Sequence, residues 1–232
     1  MKQLFNLVLV ISFMFVSLAS RAESDIENVT QFKIASLQLL SSFSSYIYFE
    51  GDSRNKTRLT QAKIQGDKAL LELSIPNQEL SLKWKQISDY LDSNQGDQFD
   101  VNLEAGWSIL QLELTQILEK YEVGLVVDKG TLTENNNSNL QVKMEVILSR
   151  YMAFANSTLG GYGITSKGEP LENQIKAVSV DLAELVEKDA KYKPLARKWS
   201  YIEKTLLAYN SNVAPFVVMH TFDKMRIMIA SY

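Results

Sequence analysis

Leu80-Ser81-Leu82-Lys83-Trp84-Lys85-Gln86-Ile87-Ser88-Asp89-Tyr90-Leu91 has a second version further along the chain, Leu195-Ala196-Arg197-Lys198-Trp199-Ser200-Tyr201-Ile202-Glu203-Lys204-Thr205-Leu206. Leu80, Trp84, Ile87 and Leu91 recur as Leu195, Trp199, Ile202 and Leu206, 115 residues on. The match continues at the same offset, where Leu103, Trp107, Leu110, Leu114 and Ile117 recur as Val218, Phe222, Met225, Ile229 and Tyr232. Steps of three, four and seven are the spacing of one helix face. Nine apolar positions at one offset without a gap mark a duplicated helical unit. Trp84 and Trp199, each in register with three aliphatic partners, read as the large core anchors of their copies rather than as walls of an aromatic site.

The rest of the chain agrees with an all-α reading. Only 4 Pro and 10 Gly occur in 232 residues, among many Leu, Lys, Glu, Gln and Ala, a composition that favours helix over strand. The first copy opens with a stripe of Phe32, Ala35, Leu39, Phe43 and Ile47 on a helix from near Ile26. Gly51-Asp52-Ser53 ends that helix, and Asp52 or Ser53 is placed to cap the next. Leu59, Ala62, Gly66, Leu70 and Leu73 form the second stripe, which Ile75-Pro76-Asn77 breaks. A third helix is predicted from about Gln78 to Asp92 and a fourth from about Phe99 to Tyr121. The second copy repeats the plan, with Val142, Glu145, Leu148, Met152 and Ala155 on its opening helix, then Leu171, Val178, Leu182 and Leu185, then the tryptophan helix. A last helix reaches Tyr232, with Pro215 tolerated in its first turn. The offset grows from about 108 in the opening helices to 112 and then 115, insertions that helix-joining loops absorb.

The predicted organisation is therefore two tandem antiparallel bundles of three to four helices each: residues 23–122 and 140–232, joined by a linker over 123–139. That linker holds Gly124, Gly130 and the polar run Glu134 to Asn139. The short apolar run Leu125-Val126-Val127 within it is compatible with a strand or with packing on a neighbouring unit.

Residues 1–22 have the layout of a secretory signal peptide. Met1-Lys2-Gln3 is a short positive start, Leu4 to Ala19 is apolar but for Asn6, Ser12 and Ser17, and Ser20-Arg21-Ala22 or Ser17-Leu18-Ala19 offers the cleavage site. The apolar run, 16 residues, falls short of the ~20 that a spanning helix needs. The expected location is periplasmic or secreted, with no stable membrane span once the signal is cleaved. Lys2 and Arg21 leave with the signal, so the formal net charge moves from −3 to −5. A mildly acidic exported chain is a poor nucleic-acid binder, which needs a basic surface. The absence of cysteine suits an oxidising compartment, since no thiol can mispair.

The catalytic inventory is thin. There is no cysteine nucleophile, and His220, the single histidine, has no partner histidine for a metal site. No HExxH, GxSxG or phosphate-loop pattern occurs. Asp89 with Asp92, and Glu184 with Glu187, set carboxylates one turn apart, as solvated helix faces commonly do. Gly160-Gly161-Tyr162-Gly163 lacks the lysine and the strand–helix frame of a phosphate loop and reads as a flexible turn. No catalytic residue, metal or cofactor is expected. The candidate ligand cluster lies on the opening helix of the second copy, at Ser149, Arg150, Tyr151 and Asn156. Arg150 is its cation, and its planar fork of donors suits an anion or a glutamate of a neighbouring helix.

These segments resemble the helical sensor domain at the periplasmic end of type IV pilus methyl-accepting chemotaxis transducers, related to nitrate-sensing helical domains. Leu148-Ser149-Arg150-Tyr151-Met152-Ala153, Leu182-Ala183-Glu184-Leu185 and Trp199 follow that family's order of motifs. Leu40-Ser41-Ser42, Leu70-Leu71-Glu72-Leu73 and Trp84 follow it again, more weakly. The family's arginine position holds Tyr151 in the second copy, with Arg150 one residue early, and Phe43 in the first. The resemblance implies a non-catalytic sensor-like protein that binds a small anion or metabolite, or an envelope protein partner, as an accessory to signalling or pilus systems. The alternative is a structural or assembly scaffold of the envelope with no small ligand.

Overall fold

The computed structural model describes residues 26–73, 77–94, 103–129, 136–157 and 169–232. The expected signal peptide and the glycine-rich turn around Gly160 lie outside them. The described residues form eight α-helices and one short 3-10 turn, with no strand among them. In chain order these are α1 (residues 26–48), α2 (Ser53–Leu71), α3 (Gln78–Ser93), α4 (Leu103–Lys129), α5 (Asn136–Ser157), α6 (Leu171–Lys188), α7 (Lys193–Leu207) and α8 (Pro215–Ile229). No described helix is long and apolar enough to cross a membrane.

Local chemistry sets the helix ends. Asp52 caps α2, its carboxylate accepting from the Asn55 amide at 2.7 Å, and Asn77 caps α3 by accepting from the Leu80 amide at 3.0 Å; each satisfies an amide that the first turn leaves without a partner. The turn between α1 and α2 runs through Glu50 and Gly51 with φ of 50° and 79°, and Gly51 takes the left-handed conformation without steric cost. The 3-10 turn Ala190–Tyr192 leads directly into α7, and Pro215 opens α8.

One boundary differs from expectation. Residues 123–129, read from the sequence as the start of a linker, continue α4 to Lys129, so Leu125-Val126-Val127 is helical. Likewise Asn136 to Asn139 already belong to α5. A glycine inside a helix costs only about 1 kcal/mol, so Gly124 is no sufficient stop signal between good helix formers.

The buried apolar side chains fall into two clusters. One draws on α1–α4, with Phe32, Leu39, Phe43, Trp84, Trp107 and Leu114 among its members. The other draws on α5–α8, with Ile147, Tyr151, Ile175, Leu182, Trp199 and Phe222. Trp84, Trp107, Trp199 and Phe222 are all buried, as the repeat predicts. Antiparallel α7 and α8 are fixed at one end by Tyr192, whose ring lies 5.0 Å from that of Tyr232.

Helix α1 also carries a run of small buried polar side chains. Ser41, Ser42, Ser44 and Ser45 of α1 are buried. Several bond back to their own helix, Ser45 Oγ donating to the Ser41 carbonyl at 2.7 Å and Ser41 Oγ to the Gln38 carbonyl at 3.2 Å. Asn156 of α5 reaches across and donates to the Ser44 carbonyl at 3.0 Å.

Candidate functional site

The residues singled out on α5 point in different directions. Arg150 turns toward the start of α6: its Nη1 donates to the Glu169 carbonyl and to Gln174 Oε1, both at 2.7 Å. Burial lowers its pKa, partly countered by Tyr209, Glu172 and Glu169 nearby. Beside it Tyr209 donates to Glu172 Oε1 at 2.8 Å. Glu172 is held below its ordinary pKa by its own backbone amide and by that hydroxyl, while the same bond raises Tyr209. Tyr151 points the other way, into the second core, and its hydroxyl accepts the Ala214 amide at 2.6 Å at the head of α8. Burial raises its pKa. Ser149 donates to the Val146 carbonyl at 2.9 Å within its own helix, and Asn156 faces α1. The structure gives each of the four a partner inside the protein.

A second polar feature ties the halves together. Glu145 is 1% exposed and takes both ends of the Arg226 guanidinium, with Nε to Oε1 and Nη2 to Oε2 each at 2.7 Å. Gln38 of α1 donates to Glu145 Oε1 at 3.0 Å. Arg226 Nη1 also donates to Asp223 Oδ1 at 3.1 Å, and the other oxygen of Asp223 accepts from Arg58 of α2. Arg58 in turn donates to Asn55 Oδ1 at 2.7 Å. Two carboxylates and two guanidinium groups thus form a neutral network through α5, α8 and α2. Burial alone would lower the Arg226 pKa; Glu145 and Asp223 outweigh it and raise it. Sequence reading placed Glu145 on an apolar stripe, and a carboxylate in such a stripe was the signal of a buried partner. A cleft of about 780 Å³ between the halves opens beside this network, lined by Gln31, Gln38, Gln65, Gln141 and Arg226 among others.

The third feature is a groove of about 600 Å³ between α7 and α8. From α7 it takes Pro194, Arg197, Lys198 and Tyr201; from α8 it takes Phe216, Val217, His220, Thr221 and Lys224. Tyr201 and Phe216 are 71% and 59% exposed. His220 lies parallel to the Phe216 ring with centroids 6.2 Å apart, and Arg54 of α2 sits 5.7 Å above that ring. The core faces of α7 and α8 explain why these side chains point out: Leu195, Trp199, Ile202, Val218, Phe222 and Met225 take the inner positions, and the groove residues fall between them. Of these residues only His220 stands out in the sequence as a candidate for chemistry. The signal of the groove is Phe216, His220 and Lys224 at steps of four, one outer helix face.

No protein family model matches this chain, and neither the curated proteins nor the solved structures contain a match.

Proposed function

We propose that this chain is an exported, non-catalytic helical binding protein that docks an envelope protein partner, as an accessory to a signalling or pilus system of the kind its sequence resembles. The groove between α7 and α8 carries the reading. Large apolar side chains held clear of a completed core, on helices whose inner faces are already packed, mark an interaction surface. A photo-cross-linking residue in place of Val217 in the full chain, expressed in its native envelope, tests it. A discrete adduct from position 217, absent from position 180 on α6 and lost on Phe216→Ser, supports the reading. Equal labelling at both positions, or none at 217, removes it.

A second reading rests on the cleft between the halves, because small-molecule sites favour such boundaries. There the chain would take a small polar ligand or anion in the manner of a sensor. A thermal-shift screen with small anions and metabolites tests that branch; no shift with any compound counts against it. A scaffold without a small ligand is the form the docking reading takes if that screen is silent.

A further inference from the structure

We infer that the occupant of the α7/α8 groove is an acidic segment of a partner protein, anchored at one end by an apolar side chain; this rests on the docking reading above. The charge of the groove is opposite to that of the molecule. The whole chain has a formal net charge of −3, yet Arg197, Lys198 and Lys224 line the groove, with no carboxylate among its described lining residues. None of the three cations is engaged in an ion pair among the described residues. The neighbouring Asp223 is taken up by Arg58 and Arg226, so it does not neutralise them.

The groove is also polarised along its length. Because α7 and α8 are antiparallel, Tyr201 lies toward the Phe216–Val217 end and Arg197 toward the Lys224 end. From Phe216 to Lys224 is two helical turns, about 12 Å at 1.5 Å per residue. Between Tyr201 and Arg197 is about half that. An extended segment advancing ~3.3 Å per residue therefore sets its carboxylates about two to four residues from the apolar anchor. The anchor rests on Tyr201, Phe216 and Val217; the carboxylates meet the guanidinium and ammonium groups. A concave groove between two helices favours an inserted chain over a flat lipid surface, which protruding side chains suit better.

Fluorescence anisotropy of the full chain with a labelled peptide of glutamates ending in one tryptophan tests the inference. Binding should weaken as salt rises. It should fall about tenfold in Arg197→Glu/Lys224→Glu, rim charges whose loss mainly slows association, and several-fold in Phe216→Ser. All three positions are exposed, and circular dichroism confirms that the variants are folded. Unchanged binding by the doubly reversed variant overturns the inference, as does equal binding of a lysine counterpart peptide. Binding to vesicles containing phosphatidylglycerol without binding to the peptide also overturns it and gives the groove to a membrane surface. If the cross-linker at position 217 traps a partner while the glutamate peptide fails, docking stands and the acidic class of partner falls.

Discussion

Trp84 and Trp199 occupy equivalent places in the two cores, and the walls around them differ in one instructive respect. Each indole N–H is satisfied from the helix before it: Trp84 Nε1 donates to Asp67 Oδ1 at 2.7 Å, and Trp199 Nε1 donates to Ser179 Oγ at 2.8 Å. Asp67 and Ser179 are themselves equivalent, 112 residues apart. The residue just before each acceptor is Gly66 in the first core and Val178 in the second. A Cβ on Gly66 would lie 2.2 Å from Trp84 Cζ2, so the first indole fills the space that a side chain takes in the second. The polar contact is common to the two cores, while the apolar wall differs. An unpaired buried donor costs about 1–3 kcal/mol, whereas apolar volume can be traded between neighbours.

The halves differ more at α1 and α5. Glu145 stands where the first copy has Leu37, at the offset of 108 that relates these helices. The buried pair with Arg226 belongs to one copy only, and it is the pair that Gln38 joins from the other half. Glu145→Leu leaves Arg226 buried without its main partner and should destabilise the chain by about 3–5 kcal/mol. Denaturant midpoints would show it, and adding Arg226→Met should recover much of the loss. If Glu145→Leu alone is neutral, the network does not hold the halves together. Gly66→Val imposes the second core's wall on the first and should cost about 3 kcal/mol, the upper range of overpacking. A crystal structure in which Trp84 simply swings aside, at no cost in melting temperature, would show that the two tryptophan sites are interchangeable. The smallest effects should come from the acceptors: Asp67→Ala and Ser179→Ala each lose about 1–2 kcal/mol. The Ser179 variant should also free Glu203, which accepts from that hydroxyl at 2.7 Å. Unequal losses measured side by side would show which copy depends more on its polar lock.

Much of this architecture was legible because helix periodicity is a local property. The tryptophan faces, a cap at Asp52 or Ser53 and the proline at the head of α8 each depend on residues within a few positions of one another. Helix α4 runs on past Tyr121 because a weak breaker such as Gly124 inside a long helix costs less than ending it. The polar chemistry was less legible because it depends on partners far apart in the chain. Arg226 meets Glu145 across 81 positions and Arg58 meets Asp223 across 165. Arg150 stands out in the sequence as a cation beside an apolar helix, but the backbone carbonyl of Glu169 that accepts from it has no signature there. The groove escaped notice for the opposite reason, since basic and aromatic residues on an outer helix face are ordinary one at a time and informative only when two helices bring them together.

The serines of α1 have one more consequence. A face that is buried in the finished molecule is normally a hazard while the chain is still being made, because the first half emerges before the second. Ser41 and Ser45 already close hydrogen bonds onto their own helix, and their hydroxyls are easily wetted. That stretch of α1 is less adhesive than an all-apolar helix would be while the first half waits for the second.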